Sequence, residues 1–242
     1  APVLRNLRHS DAGLPRFHGS CGDVDGQLDQ ALSNAESRKT SLSETSVGFA
    51  KLSNSRTTVI IDAAPPPMGK KAVKADASTL AFEMVSGQRR VFTSCGPGYL
   101  FGSDLSLVGR QTSSHCAVYI EDRNSSEFSS VEGWFKTPKK MIINGPRTVP
   151  KEISNHEGAG IFEGAHDGFV QSYGLTHVRK LKLSQDGYTF EGEDLMIAIE
   201  DSHKRQFDKV SKKNRNDQLS VNAAFHLHPN VVVRLDQENN RI

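Results

Sequence analysis

The chain has 242 residues, enough to bury a sizeable core in one large domain, and hydrophobic residues make up 36% of it. Its 30 Lys and Arg residues nearly balance 28 Asp and Glu residues, so the formal net charge is +2. Because the charges are interspersed, the composition argues against a dedicated nucleic-acid surface. No apolar run approaches the roughly 18 residues of a membrane-spanning helix, so we expect no membrane span.

The three cysteines, Cys21, Cys95 and Cys116, are odd in number and lack the spacing of a zinc site. They support neither a disulfide framework nor a zinc knuckle, although a pairing of Cys95 with Cys116 stays open if their strands are neighbours. The chain opens at Ala1 without an initiator methionine. We therefore expect a processed form or a piece of a longer protein.

The first 45 residues differ in character from the rest. Residues 14–19 are rich in turn formers, and residues 25–32 predict a short helix in which Leu28 and Leu32 share one face. After Thr40, strand-like runs begin. We therefore treat residues 1–45 as an N-terminal segment and residues 46–242 as the main domain.

Short strands separated by turns continue from there to the end of the chain. Two hairpins are predicted first, one joining residues 49–52 to 57–62 and one joining residues 80–84 to 90–93. Asp186-Gly187 indicates a third hairpin, since Asp-Gly suits a type I′ turn. The other predicted strands are residues 117–121, 140–143, 161–165, 178–183, 188–194, 220–228 and 230–235. This pattern predicts a mainly β fold, a large antiparallel β-sandwich.

His115 stands at the head of one of these strands, after Ser113-Ser114. Such a histidine could be a metal ligand, a charge neutraliser beside an acidic sugar or an ordinary core residue. Residue type alone favours the core residue.

Five blocks, taken in order and spacing, resemble the bacterial heparinase II/III-like proteins over nearly the whole chain. They are Leu14-Pro15-Arg16-Phe17-His18-Gly19, Leu80-Ala81-Phe82-Glu83, Ser114-His115, Ala165-His166-Asp167-Gly168-Phe169 with His177 and Arg179, and Phe225-His226-Leu227-His228-Pro229. In that family a helical (α/α) toroid precedes a large β-sandwich. The resemblance implies that residues 46–242 are the sandwich, that residues 1–45 end the toroid, and that the rest of the toroid is a missing partner domain.

The resemblance also implies an activity, which is β-elimination of an acidic, glycosaminoglycan-like polysaccharide by the full-length protein. Such a lyase neutralises a uronate carboxylate, removes the neighbouring proton and protonates the leaving oxygen. This chain alone would be inactive, because the toroid supplies part of the chemistry. The implied compartment is the periplasm, with the cytoplasm as the alternative. The alternative function is a catalytically degenerate domain that binds carbohydrate or acts as a scaffold without being an enzyme.

The resemblance further implies a zinc site, and here the sequence departs from the family. The two family histidines fall at Lys74 and Asp76, the aspartate before a glycine turn falls at Ser94 or Cys95, and the last ligand is His115. Asp76 and His115 are the predicted metal ligands, which a Cys95 or Cys116 thiolate could supplement. The incomplete set favours an empty site over bound zinc.

The remaining predicted site residues are a cation and two aromatic side chains. Lys74 and His115 are the predicted catalytic residues, with Lys74 neutralising the uronate; Lys74 can equally be a solvated lysine of a basic run. Tyr99 and Trp134 are the predicted sugar-stacking residues, and both can equally be core or surface aromatics.

Overall fold

A computed structural model describes residues 2–22, 26–34, 45–102, 105–132, 139–213 and 218–234. It begins with two short helices, α1 at Pro2–Asn6 and α2 at Gln27–Ser33. Helix α2 matches the predicted helix within two residues at its start, and its Leu32 is buried as expected. No helix in these ranges is long and apolar enough to cross a membrane.

The first sheet is an antiparallel meander of five strands in chain order. Its strands are β1 Thr45–Ser46, β2 Phe49–Asn54, β3 Thr57–Asp62, β4 Phe82–Ser86 and β5 Arg89–Phe92. Both hairpins predicted here are confirmed. All six residues of β3 are buried, because β3 is the middle strand and both of its faces are covered. Val59 and Ile61 belong to the apolar core, and Thr58 and Asp62 contact His9 and His18 of the N-terminal segment.

Three further strands follow the first sheet. They are β6 Val118–Ile120, β7 Glu127–Val131 and β8 Lys139–Asn144, and β7 pairs with β8 in a separate ribbon. In the described residues before β6, short 3₁₀ turns lie at Gly69–Val73, Gly98–Phe101, Val108–Arg110 and Thr112–Ser114.

The second sheet has the antiparallel order β12-β11-β10-β9. Its strands are β9 Lys151–His156, β10 Ala159–Phe169, β11 Leu175–Leu183 and β12 Phe190–Ile197. Helix α3, Val170–Tyr173, joins β10 to β11, helix α4 covers Asp201–Ser211, and β13, Val221–Ala223, pairs back with β6. The predicted hairpin at Asp186-Gly187 is confirmed as the β11–β12 connection.

The core lies between the two sheets. Strand β11 alternates buried Leu181 and Leu183 with exposed Lys180 and Lys182, which is the period of two that places one face of a strand inward. The inward side chains of both sheets form one apolar cluster, including Leu52, Val59, Ile61, Phe82, Phe162, Leu181 and Leu183. The predicted antiparallel β-sandwich is therefore the observed fold.

The C-terminal strand predictions are wrong in extent. Of residues 220–228, only Val221–Ala223 form a strand, and residues 230–234 form none; residue 235 is outside the described ranges. The main-chain N–H of His226 donates to Cys116 Sγ, and that of His228 donates to Val91. These isolated hydrogen bonds join residues 226–228 to strand β5 and to the residue pair before β6. They do not form a continuous ladder.

Candidate functional site

The N-terminal segment packs against one end of the sandwich. Phe17 is buried with Ala81 and Ala117 and stacks on Phe49, with the ring centroids 6.0 Å apart. The main-chain N–H of Arg16 donates to Glu83 Oε1 at 3.0 Å. This docking brings His18, the residue after Phe17, to the end of strand β3 at Asp62.

His18 joins two buried carboxylates. Its Nδ1 accepts the main-chain N–H of Asp76 at 3.1 Å, so Nε2 carries the ring hydrogen and donates to Asp62 Oδ2, also at 3.1 Å. Asp62 Oδ2 accepts a second hydrogen bond from Ser78 Oγ at 2.6 Å. Asp76 Oδ2 accepts the main-chain N–H groups of His18 and Gly19. Both carboxylates therefore fasten the N-terminal segment to the sandwich.

Asp76 is only 3% exposed, and burial raises its pKa to about 6. The hydrogen bonds from His18 and the charge of Arg110, whose Nε lies 4.0 Å from Asp76 Oδ1, act against this rise. Desolvation of the carboxylate outweighs these attractions.

His115 is fully buried, and within the described part of the chain neither ring nitrogen has a hydrogen-bond partner. Burial, followed by the charge of His18, lowers its pKa to about 3, so the ring is neutral at physiological pH. Its centroid lies 6.1 Å from that of Phe17. A polymer in solvent has no access to this ring, and the catalytic role of His115 stays a prediction.

At the positions of the predicted zinc ligands, four buried polar atoms have no hydrogen-bond partner among the described residues: Asp76 Oδ1, Ser94 Oγ and both ring nitrogens of His115. In the described ranges no group of three or more His, Cys, Asp or Glu side chains is arranged to hold a metal ion. Burial raises the pKa of Cys116 to about 12, which keeps that thiol protonated and unsuited to ligation. The donor set does not fit zinc, since a serine hydroxyl stands where a carboxylate is required.

A cationic pocket of about 310 Å³ adjoins the buried cluster formed by His18, Asp62, Asp76 and His115. Gly19 and Arg110 contact Asp76 and also line the pocket. Its described lining residues are Gly19, Val73, Lys74, Pro97, Tyr99, Ser106, Leu107, Arg110, Lys139 and Lys140. Four of these ten carry positive charge and none is a carboxylate. The pocket therefore attracts anions.

Main-chain contacts fix the pocket walls. Arg110 donates to the carbonyl oxygens of Ala72, Ala75 and Lys140, so it clamps the turn that carries Lys74 to strand β8. Gly19 has φ +79°, and a Cβ there would lie 3.1 Å from the Lys74 Cβ, which shows how closely the lysine stem lies along the glycine. Lys74 itself is an exposed residue.

Tyr99 forms the aromatic part of the pocket and is 48% exposed. Its hydroxyl lies 3.2 Å from Cys21 Sγ, a contact that links the ring to the N-terminal segment. A hydrogen bond with Cys21 raises the pKa of Tyr99, so the phenol stays neutral at physiological pH.

The structure thus divides the predicted site residues between two places. Lys74 and Tyr99 lie together in the cationic pocket, Asp76 and His115 lie in the buried cluster, and Trp134 is outside the described residues. Sequence reasoning missed Arg110, Lys139 and Lys140, which become a group only through long-range packing. It also did not identify the contacts of His18 with Asp62 and Asp76, which lie far from it along the chain.

Comparison with known proteins shows which sequences this chain resembles. The sequence model of the family described as "Heparinase II/III-like, C-terminal" matches residues 38–242. FtsZ-localized protein C of Caulobacter vibrioides is 26% identical over 221 residues, which cover 90% of this chain and 36% of that protein. The chain thus spans about a third of this curated relative.

Solved structures show the same fold. A heparinase III gene product with methylated lysines aligns with a TM-score of 0.54 at 15% identity, over 78% of this chain and 30% of that one. A mutant of the heparan sulfate lyase HepC from Pedobacter heparinus aligns with a TM-score of 0.55 at 14% identity, over 79% and 31%. The family match over most of the sequence and this shared fold agree: the chain belongs to the heparinase II/III-like C-terminal family.

Proposed function

We propose that this domain binds an acidic, uronate-containing polysaccharide in the cationic pocket, and that the longer protein containing it cleaves the polymer by β-elimination. The observation that carries the proposal is the group of Lys74, Lys139, Lys140 and Arg110 beside the half-exposed ring of Tyr99. Cations neutralise a carboxylate, and an aromatic ring offers an apolar surface to a sugar.

The proposal assigns one catalytic task to this chain. Neutralising the uronate carboxylate makes the neighbouring proton more acidic, and Lys74, an exposed lysine of the pocket, can supply that charge. Arg110 is a positioning residue here, because it already donates to three carbonyl oxygens. Proton transfer is left to groups of the longer protein, since the His115 ring is closed to solvent. Two similar structures bear the names of a heparinase and a heparan sulfate lyase, which supports an acidic polysaccharide as ligand.

A second candidate is a non-enzymatic domain that binds carbohydrate or acts as a scaffold. Two observations favour it. The expected zinc-ligand positions hold Lys74 and Ser94, and the curated relative is named for localisation with FtsZ rather than for an activity. Both candidates share the cationic pocket and differ in whether the bound polymer is cut.

The test uses the full-length protein with heparin, heparan sulfate, alginate and a bacterial exopolysaccharide. Calorimetry measures binding, ultraviolet absorbance measures unsaturated uronate, and elemental analysis measures zinc. We expect no stoichiometric zinc. We expect Lys74→Ala and Lys140→Ala each to weaken binding about tenfold, because each removes one charge-assisted contact. Added salt should weaken binding further.

Lys209→Ala is the matched control, because Lys209 is an exposed lysine on helix α4 and does not line the pocket. Binding accompanied by unsaturated product supports the lyase. Binding without product supports the second candidate. If no polymer binds, or if Lys209→Ala weakens binding as much as Lys74→Ala, the cationic pocket is not the binding site and the proposal is wrong.

A further inference from the structure

The carboxylates of Asp62 and Asp76 in the buried cluster already accept hydrogen bonds from donors of the chain itself. Asp62 Oδ2 accepts from His18 Nε2 and Ser78 Oγ, at 3.1 and 2.6 Å. Asp76 Oδ2 accepts the main-chain N–H groups of His18 and Gly19. A carboxylate oxygen that accepts two hydrogen bonds has no lone pair left for a metal ion. An ion bound at either oxygen would therefore have to displace these donors.

The other oxygen of Asp76 lies near a cation of the chain. Asp76 Oδ1 is 4.0 Å from Arg110 Nε, and Arg110 is held in place because it donates to three carbonyl oxygens. The positive charge that a zinc ion would bring to this carboxylate is thus supplied by a guanidinium group. Groups of the chain therefore serve both oxygens of Asp76.

His18 contacts Asp76 twice, which makes the link between them reciprocal. Its main-chain N–H donates to the carboxylate, and its ring Nδ1 accepts the main-chain N–H of Asp76 at 3.1 Å. The other ring nitrogen reaches Asp62 at the end of β3. One residue thus joins the N-terminal segment, strand β3 and the loop that follows the 3₁₀ turn at Gly69–Val73. A metal ion with ligands from separate segments makes the same kind of link.

The backbone at His18 is held in a conformation that supports these contacts. His18 has φ +52°, in the left-handed region that residues other than glycine rarely adopt, and Gly19 follows with φ +79°. Such strain persists only where the surrounding contacts over-determine it. The two N–H groups that this turn presents both donate to Asp76 Oδ2, so the turn and the ring contacts act together.

We propose that His18 holds this cluster together in place of a metal ion, so that the N-terminal segment docks on the sandwich without zinc. Lys74 and Ser94 stand at positions where zinc ligands were expected, and neither supplies an imidazole or a carboxylate. The hydrogen bonds of His18 make the connection that those ligands would make. The inference does not depend on what the cationic pocket binds.

The test measures amide hydrogen–deuterium exchange of residues 14–22 in the full-length protein, together with its melting temperature, after treatment with EDTA and after addition of zinc chloride. Exchange in this segment reports its docking, because the N–H groups of His18 and Gly19 donate to Asp76. We expect neither EDTA nor zinc to change the exchange rate or the melting temperature. A cluster held by a metal would exchange faster and melt earlier in EDTA.

His18→Ala removes the ring contacts, and we expect residues 17–20 to exchange about tenfold faster, since one hydrogen bond is worth roughly that factor. His156→Ala is the matched control, because His156 is an exposed histidine on β9 of the second sheet. It should leave the exchange of residues 17–20 and the melting temperature unchanged.

Faster exchange or a lower melting temperature in EDTA would overturn the proposal, and so would equal exchange in His18→Ala and His156→Ala. The EDTA experiment needs no variant, so it stays decisive if His18→Ala does not fold. Neither result bears on polymer binding in the cationic pocket, which has its own test.

Discussion

Asp76 and His115 belong to one polar cluster, and burial acts on them in opposite directions. It raises the pKa of the carboxyl to about 6 and lowers that of the imidazole to about 3. Both shifts favour the neutral form, as expected where water is excluded. At neutral pH the His115 ring is therefore uncharged, whereas the Asp76 carboxyl, with a pKa of about 6, is still mostly ionised.

The raised pKa of Asp76 predicts how stability depends on pH. Because the folded-state pKa lies above the unfolded value of 3.8, the folded state binds more protons between the two values, and this contribution is lost as the pH rises through about 6. Asp76→Asn keeps an acceptor for the N–H groups of His18 and Gly19 and removes the titration. Relative to the unmodified protein, the variant should gain roughly 3 kcal/mol between pH 4 and pH 7, since two pKa units are worth about that much.

Urea unfolding at a series of pH values measures this difference. Asp208→Asn, at an exposed carboxylate on helix α4, is the control and should show no such trend. A stability difference between Asp76→Asn and the unmodified protein that is constant from pH 4 to pH 7 would show that the carboxyl is not shifted.

Single candidate residues could be identified from the sequence, but the residues that surround them in space could not. Lys74 and Tyr99 were chosen separately, and the fold places them in one pocket. Arg110 carries no local signal, because an isolated arginine is usually solvated. Its role follows from the three carbonyl oxygens that accept its hydrogen bonds. Two belong to the turn around Lys74 and one to β8, 30 to 38 residues away along the chain.

Among the elements, the β11–β12 hairpin shows what local pattern can and cannot specify. Asp186-Gly187 marks the connection correctly, but the last pair is Leu183 with Phe190, so the loop has six residues rather than two. Of the two turn residues only Gly187 has positive φ, whereas a type I′ turn needs it at both. The Asp186 carboxylate accepts from Ser184 and Tyr188 and builds the wider turn.

Arg179 connects four segments of the chain through its hydrogen bonds. It is 1% exposed, donates to both Asp194 oxygens at 2.7 and 2.9 Å, and donates to the carbonyl oxygens of Leu80 and Cys116. Arg179→Met removes the donor that the Leu80 and Cys116 carbonyl oxygens share and leaves the Asp194 carboxylate with the hydrogen bond from His177 alone. We expect it to lower the free energy of unfolding by roughly 3–5 kcal/mol, measured by urea denaturation.

Lys180→Met is the matched control on the same strand. Lys180 pairs with Glu163 at the surface, with both side chains about half exposed, so its loss should lower the free energy of unfolding far less than the loss of Arg179. Equal losses for the two variants would contradict the assignment of Arg179 as a buried clamp.

At the scale of the whole molecule, the N-terminal segment covers part of the sandwich. Besides Phe17 and His18, its carbonyl oxygens at Asn6 and Arg8 accept from Lys51 Nζ on β2. His9 Nδ1 lies 3.1 Å from Thr58 Oγ1 on β3. The segment therefore packs on the sandwich, while the proposed boundary at residue 45 stays a prediction.

Deleting residues 1–22 should strongly lower the melting temperature. The deletion removes Phe17 from an apolar cluster, and large-to-small changes at such sites alone cost about 3–5 kcal/mol. It also strips main-chain donors from the buried carboxylates of Asp76 and Glu83. Deleting only residues 1–4 keeps these contacts and should change the melting temperature little. Equal melting temperatures for both deletions, measured by calorimetry, would show that the segment is not part of the folded unit.

The sequence by itself determined the class of fold, because alternating apolar residues and Gly or Asp turns act over a few neighbouring positions. It also determined which ligand positions had changed, since Lys74 and Ser94 can be read directly. Tertiary structure alone decided that four cations share a pocket and that His115 is sealed from solvent. Those outcomes depend on contacts between residues tens of positions apart, and such contacts are selected by the packing of the two sheets and the covering segment rather than by local pattern.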